Sequence, residues 1–220
     1  MSQAPGIPSP RSSVGRALGR PSDGGLWEEG QGEGRLRLDA RAVLVLGGAR
    51  SGKSRYALGL AEATAPERVM IATAEALDVE MAARIAHHQA ERGAGWTTRE
   101  SALELAEALT QEARPGRVAV VDCVTLWLTN ILIAGRDMEA AIAELAALVP
   151  TLAGPVIFVS NEVGHGITPP SKLGREFQDG QGRANQALAA ACDAVVAVTA
   201  GLPRLLKPAP AFELRLNGGA

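Results

Sequence analysis

Short apolar runs alternate along the chain with segments whose apolar residues recur at helical spacing. The runs predict buried strands at residues 42–46, 68–72, 117–122, 155–160 and 194–199. The helical spacing predicts helices at residues 53–64, 78–92, 102–113, 124–134, 138–149 and 183–191. Because nearly continuous apolar strands separated by helices are typical of a parallel sheet covered on both faces, we predict an α/β fold of that kind.

A glycine-rich loop joins the first of these strands to the first helix. Its sequence GGARSGKS matches the phosphate-binding pattern G-x-x-x-x-G-K-[ST], and the strand, lysine and serine in register disfavour an ordinary turn. Backbone N–H groups of such a loop can surround a polyphosphate at a helix N-terminus. The predicted nucleotide-binding residues are Gly47, Gly48, Ala49, Arg50, Ser51, Gly52, Lys53 and Ser54. Lys53 is also a catalytic candidate for the β- and γ-phosphates, and the Ser54 hydroxyl is a candidate Mg²⁺ ligand.

Asp122 ends the strand 117–122 and is the second candidate ligand for Mg²⁺. The alternative is a structural role as the N-cap of the helix 124–134, since Asp is common at that position.

A further turn follows the strand 68–72, where small residues would let a nucleotide approach the backbone. That turn is uninformative by itself.

The predicted helix 78–92 carries two adjacent histidines, His87 and His88, flanked by Arg84 and Arg92. Adjacent residues of a helix point about 100° apart, which disfavours a shared metal ion. A neutral imidazole could instead attack a phosphate while the arginines neutralise charge and lower the histidine pKa. From the pattern alone, an exposed histidine pair without function is the more common outcome.

Two polar stretches remain near the C-terminal half. Residues 161–170 follow the strand 155–160 as a glycine-containing loop, which either holds substrate or is a surface turn. Asp179, Arg183 and Asn185 lie in a second polar stretch before the last predicted helix.

Composition limits the remaining possibilities. The 220 residues fit one domain over 41–220, preceded by an extension, residues 1–40, that is too poor in apolar residues to be expected to order. A net charge of −2 and 3% aromatic residues argue against a nucleic-acid surface. No apolar run approaches the roughly 20 residues of a membrane span, and no signal peptide is apparent. Cys123 and Cys192 lie in apolar segments and are expected to be inert thiols in a reducing cytoplasm.

Together these motifs resemble the family of bifunctional adenosylcobinamide kinases/adenosylcobinamide-phosphate guanylyltransferases. The matching segments are GGARSGKSRYA, IAT, EMAARIAHHQAERGAGW, VDCVTLWLTN, SNEVGHGITP and GREFQDGQGRANQALAAACD. They cover residues 42 to about 207 and leave out the extension and the tail after Lys207. The resemblance implies a P-loop NTPase-like, RecA-like fold.

The resemblance also implies particular site residues. The family histidine that becomes guanylylated lies in a pattern R-I-x-x-H, which selects His88 as the catalytic nucleophile in this chain. The implied nucleotide contacts beyond the glycine-rich loop are Ala72, Thr73, Ala74, Gln89, Ala90, Glu91, Arg92, Glu100 and Asp122. Asp or Glu occurs at position 122 among relatives, so Asp here is no departure.

The implied activity has two steps in cobalamin biosynthesis. Adenosylcobinamide is first phosphorylated by ATP or GTP with Mg²⁺. His88 then attacks the α-phosphate of GTP, pyrophosphate leaves, and the GMP passes to adenosylcobinamide phosphate to give adenosylcobinamide-GDP. The implied partners are a small corrinoid substrate and two further copies of the chain in a cytoplasmic homotrimer.

Two other functions fit the sequence without the resemblance. A kinase with one activity on another small metabolite needs only the glycine-rich loop and Asp122, and it predicts no covalent GMP. A nucleotide-binding regulatory module whose residues 1–40 contact a partner predicts binding without turnover. A GTPase switch is less favoured, because no N-K-x-D guanine-reading motif occurs.

Overall fold

The computed structural model describes residues 27–29, 36–74 and 93–209. By its internal contacts the chain divides into two units, residues 1–39 and 40–220. In the first unit the described residues form two short antiparallel strands, β1 (Trp27–Glu29) and β2 (Leu36–Leu38). The predicted disorder of residues 1–26 and 30–35, and the predicted helix 78–92, fall outside the described residues and stay predictions.

The described part of the second unit forms a seven-stranded sheet with the order β5-β4-β6-β7-β3-β8-β9. Its strands are β3 (Ala42–Gly47), β4 (Glu67–Ala72), β5 (Trp96–Glu100), β6 (Arg117–Asp122), β7 (Val156–Asn161), β8 (Ala194–Thr199) and β9 (Leu202–Lys207). All neighbouring pairs are parallel except β8 with β9. The prediction of a mostly parallel sheet is confirmed.

Helices connect the parallel strands, as crossovers between parallel neighbours require. Those described are α1 (Lys53–Thr64), α2 (Leu105–Glu112), α3 (Val124–Ile133), α4 (Met138–Leu148) and α5 (Lys172–Ala191). Side chains cap two of them: the Asp137 carboxylate accepts from the Ala140 N–H (3.0 Å), and the Ser171 hydroxyl accepts from the Gly174 N–H (3.1 Å). These caps satisfy N–H groups that have no partner within the helix. Within the described ranges, no helix is long and apolar enough to cross a membrane.

The two faces of the sheet bury different helices. Leu44 and Phe158 are fully buried in one core with side chains of α2 to α5. Since successive strand residues point to opposite faces, Val45 lies on the other face. There α1 contacts the central strands and buries Ala57 and Ala61 completely. Helices on both faces are therefore confirmed.

Three features differ from the sequence prediction. Strands β5 and β9 were not predicted, because both lie at sheet edges and carry mostly exposed or half-exposed residues. The last helix begins at Lys172 rather than at residue 183. Asp179, Arg183 and Asn185 consequently lie inside α5 and not before it, which corrects their placement.

Strand order determines which residues meet at the carboxyl edge of the sheet, where parallel α/β folds bind ligands. Strand β7 lies between β3, which leads into the glycine-rich loop, and β6, which ends at Asp122. The loop, the end of β7 and Asp122 are therefore adjacent along this edge.

Candidate nucleotide site

The glycine-rich loop turns tightly between β3 and α1. The Ser51 N–H and the Lys53 ammonium both donate to the Gly48 carbonyl, at 3.3 and 3.1 Å. Arg50 and Gly52 adopt positive φ values of 56° and 94°. These left-handed residues reverse the chain and direct the N-terminus of α1 towards the loop, as a phosphate-binding loop requires.

Neighbouring elements hold the loop from both sides. The Gly47 carbonyl accepts from the Glu162 N–H (3.3 Å), just after β7, and the Ser51 carbonyl accepts from the Gly201 N–H (2.8 Å), between β8 and β9. A Cβ at Gly47 would lie 2.5 Å from the Val198 carbonyl oxygen. Only glycine fits where these backbones approach so closely.

Asp122 lies at the end of β6, on the sheet face that also carries α1 by strand alternation. The N-cap position of α3 belongs to Cys123, so the alternative role of Asp122 as that cap is wrong. Burial first, and then the nearby Asp122 carboxylate, raise the pKa of the Cys123 thiol to about 11, although the Lys53 ammonium opposes the shift. Both charges therefore lie near Cys123, and the thiol is protonated at neutral pH.

Three predicted nucleotide contacts end neighbouring strands in register. Ala72 pairs with Glu100 on one side and with Asp122 on the other. Ala72 and Asp122 are half-buried, whereas Glu100 is exposed. The structure thus brings these three positions together along one edge of the sheet.

Thr73 follows Ala72 and is fully buried. Its hydroxyl donates to the Cys123 carbonyl (2.7 Å) and accepts from the Cys123 N–H (2.8 Å). Asn130 donates from Nδ2 to the Thr73 carbonyl at 2.8 Å. The Thr73 side chain thus connects the ends of β4 and β6. The predicted contacts of Thr73 and of the half-buried Ala74 with a nucleotide stay predictions.

The remaining predicted residues cannot be placed against the loop. His88 and the implied contacts Gln89, Ala90, Glu91 and Arg92 lie outside the described residues. His87 and Arg84 lie there as well. Their roles stay predictions.

A polar network that the sequence reasoning missed lies behind the end of β7. The fully buried Ser160 donates from its hydroxyl to Asn185 Oδ1 (2.6 Å), and Gln181 donates from Nε2 to both of these side chains at 2.9 Å. Asn185 donates from Nδ2 to the Asn161 carbonyl (3.0 Å), and the Thr125 hydroxyl accepts from the Asn161 N–H (2.9 Å). The sequence singled out Asn185 and the loop that begins at residue 161 without joining them, and the pair Gln181 and Asn185, one helical turn apart, is a further signal.

A cavity of about 930 Å³ extends from the loop along α1. Its lining includes the cationic side chains Arg50, Lys53 and Arg55 together with Leu58 and Glu62. Cationic groups beside a helix N-terminus favour an anionic ligand.

The donor set of this edge fits Mg²⁺. Mg²⁺ takes oxygen ligands and is usually held by one or two carboxylates together with substrate phosphates. The Asp122 carboxylate and the Ser54 hydroxyl are ligands of that type. Across residues 36–74 and 93–209 no cluster of three or more His, Cys, Asp or Glu side chains could hold a metal alone.

Comparison with known proteins extends these observations. A family model described as cobinamide kinase / cobinamide phosphate guanyltransferase matches residues 43–206. The chain is 47% identical over 170 residues to the bifunctional adenosylcobalamin biosynthesis protein CobP of Pseudomonas aeruginosa, covering 76% of this chain and 98% of the relative. It is 42% identical over 175 residues to the bifunctional adenosylcobalamin biosynthesis protein CobU of Salmonella typhimurium, covering 73% and 96%.

The solved structures that match are more distant in sequence. The assembled ATPase EscN of the enteropathogenic Escherichia coli type III secretion system has a TM-score of 0.48 and 12% identity, covering 75% of this chain and 44% of its own. The RadB recombinase has a TM-score of 0.41 and 16% identity, covering 71% and 73%. The sequence relatives, rather than these structures, connect the chain to a family.

Proposed function

The chain belongs to the cobinamide kinase / cobinamide phosphate guanyltransferase family, and from this premise we propose how its residues divide the two reactions. It is a bifunctional enzyme of adenosylcobalamin biosynthesis with a P-loop NTPase fold of the RecA-like type. Both reactions consume a nucleoside triphosphate. The observation that carries the proposal is the position of one glycine-rich loop beside Asp122, at the carboxyl edge of the sheet.

In the kinase reaction, the hydroxyl of adenosylcobinamide attacks the γ-phosphate of ATP or GTP. The loop amides of residues 47–54 and the Lys53 ammonium hold the phosphates and stabilise the charge that develops during transfer. Ser54 and Asp122 would hold Mg²⁺, which neutralises phosphate charge when bound.

In the guanylyl transfer, His88 attacks the α-phosphate of GTP. A bond forms between the imidazole nitrogen and the α-phosphorus, the bond to the β-phosphate oxygen breaks, and pyrophosphate remains in the loop. A phosphate oxygen of adenosylcobinamide phosphate then attacks the same phosphorus and releases the histidine. Residues 72–74, 89–92 and Glu100 contact the nucleotide.

Labelling with GTP that carries radioactive phosphorus at the α-position tests the covalent step. We expect the wild-type protein to retain label that is stable to base and labile to acid, as a phosphoramidate is. His88→Ala should lose this label, and the matched variant His87→Ala should keep it. Label of wild-type strength in His88→Ala would contradict the assignment of the nucleophile.

We infer further that the enzyme acts in the cytoplasm as a homotrimer on a small corrinoid. The cytoplasmic assignment is supported by the nucleoside triphosphates that both reactions consume, and the trimer by the family resemblance. Light scattering coupled to gel filtration tests the assembly, and a monomeric mass would contradict it.

A further inference from the structure

Asn161 is the last residue of β7 and lies between the two main parts of the proposed site. It pairs with Gly47 at the start of the glycine-rich loop. Two residues earlier in the same strand, Val159 pairs with Asp122. Ser160 points to the α5 side, where it contacts Gln181 and Asn185, so alternation places the Asn161 side chain on the face of the loop and Asp122.

The backbone of Asn161 is anchored by two different helices. Its N–H donates to the Thr125 hydroxyl of α3, and its carbonyl accepts from Nδ2 of Asn185 in α5. Ser160 and Gln181 hold the Asn185 side chain from behind. Side chains from rigid elements therefore fix the position from which the Asn161 side chain extends, as a preorganised site requires.

The Asn161 side chain carries a buried acceptor with no partner. Its Oδ1 is buried and receives no hydrogen bond within the described part of the chain. Leaving a buried acceptor unsatisfied costs about 1–3 kcal/mol, so a turn of this half-buried side chain that brings Oδ1 to a donor in the working complex is favoured. Phosphate oxygens of a nucleotide only accept, whereas the attacking hydroxyl of the kinase reaction can donate.

We propose that Asn161 is a catalytic residue of the kinase reaction, whose Oδ1 accepts a hydrogen bond from the attacking hydroxyl of the corrinoid. An amide oxygen does not take the proton. It orients the hydroxyl so that its lone pair faces the γ-phosphorus. The new oxygen–phosphorus bond forms, the bond from the γ-phosphorus to the leaving diphosphate breaks, and the hydroxyl proton passes to a phosphoryl oxygen.

This assignment rests on the proposed function and separates the two reactions. The acceptor of GMP is adenosylcobinamide phosphate, and its attacking atom is a phosphate oxygen. That reaction therefore has no attacking hydroxyl for Asn161 to orient. Asn161 therefore serves phosphorylation and not guanylyl transfer.

The test compares Asn161→Leu, which keeps the size and removes the acceptor, with Asn161→Asp, which keeps an acceptor and removes the donor. The two rates to measure are phosphorylation of adenosylcobinamide by saturating ATP and GMP transfer from GTP to adenosylcobinamide phosphate. Asn161→Leu should lower the kinase kcat about 10- to 100-fold and leave GMP transfer near wild type. Asn161→Asp should retain a larger kinase kcat than Asn161→Leu, with a raised KM for ATP because of its added charge.

Gln186→Leu, at an exposed amide of α5, is the matched control and should change neither rate. Equal losses of both rates in a folded Asn161→Leu, or a kinase kcat of Asn161→Asp no larger than that of Asn161→Leu, would overturn the inference. If Asn161→Leu does not fold, Asn161→Ala gives the same comparison. A wild-type protein that phosphorylates no corrinoid would overturn the proposed function, and this inference with it.

Discussion

At the scale of single residues, the start of the glycine-rich loop packs closely against the backbone of a neighbouring strand. Gly47 faces the Val198 carbonyl of β8, and that carbonyl lies within a paired strand. Gly48 follows it directly, yet a Cβ there would meet no atom within 4 Å. Of these two adjacent glycines, only Gly47 is required by the packing of the described residues.

Gly47→Ala is expected to lower the free energy of unfolding by about 1–3 kcal/mol, because its Cβ would overlap a backbone oxygen at 2.5 Å. Gly48→Ala should leave that free energy close to the wild-type value. Urea denaturation of both variants measures the difference. Equal stability of the two variants would show that the loop backbone can shift to accept the methyl group.

Thr73→Val is expected to destabilise the protein by about 1–3 kcal/mol, because it keeps the shape of the side chain and removes both hydrogen bonds with Cys123. The buried N–H and carbonyl of Cys123 would each lose a partner. Thr199→Val, at an exposed position of β8, is the control and should change stability little. Thermal unfolding measures both, and a Tm for Thr73→Val equal to that of Thr199→Val would contradict the prediction.

At the scale of elements, burial decides which strands the sequence reveals. The central strands β3, β6 and β7 are covered on both faces, so their apolar residues form unbroken runs that predict them. The edge strand β5 reads WTTRE and the edge strand β9 contains Pro203, and neither gives such a run. The first half of α5 was not predicted as helix, because Gly174, Gly180, Gly182 and its many polar residues give no apolar helical pattern.

The candidate site likewise has a part that the sequence predicts and a part that it does not. The glycine-rich loop and Asp122 were predictable, because each is a local pattern at the end of an apolar strand. The network around Asn161 was not, because Ser160 meets Gln181 and Asn185 only after α5 packs against the sheet. Polar residues that act through such distant contacts have no local pattern in the sequence.

The C-terminal end of α5 is capped from outside the helix. The Lys207 ammonium, at the end of β9, donates to the carbonyls of Ala189 (2.9 Å), Ala190 (3.0 Å) and Cys192 (2.6 Å). These carbonyls lie in the last turn of the helix or just beyond it, where partners within the helix are lacking. A cation at that end also opposes the negative pole of the helix.

Lys207→Met is expected to cost roughly 1–2 kcal/mol of stability, because it keeps the length of the side chain and removes its donors. Lys172→Met is the matched control at the other end of α5, where the exposed pair with Glu176 (3.3 Å) contributes at most about 0.5 kcal/mol. Denaturant titration of both variants measures the two losses. A loss for Lys172→Met as large as that for Lys207→Met would contradict the capping role.

At the scale of the whole molecule, both cysteines make stability depend on alkaline pH. Burial raises the pKa of the Cys192 thiol to about 12, and burial is also the main reason that the pKa of the Cys123 thiol rises to about 11. In the unfolded chain a thiol ionises near pH 8.5. Since the folded pKa values lie above the unfolded one, their stabilisation is complete below about pH 8.5 and is lost as pH rises towards 11 and 12.

We therefore expect the Tm to fall as pH rises from 8.5 to 11. Cys192→Ala, outside the proposed site, should show a smaller fall over the same range, because alanine has no proton to lose on unfolding. Thermal unfolding at several pH values compares the slopes. Identical slopes for wild type and Cys192→Ala would show that this thiol does not contribute.

The position of β3 in the sheet has a consequence for the time at which the protein becomes able to bind a nucleotide. Both strands that pair with β3 come from the C-terminal part of the chain, and the Asp193 carboxylate accepts from the N–H groups of Arg41 and Ala42 at its start. Such long-range pairings form late. During synthesis on the ribosome the glycine-rich loop emerges early, but its strand has no partner until β7 and β8 have followed. We therefore expect nucleotide binding to begin only after β7 and β8 have been synthesised, so a product terminated before β8 should not compete for GTP.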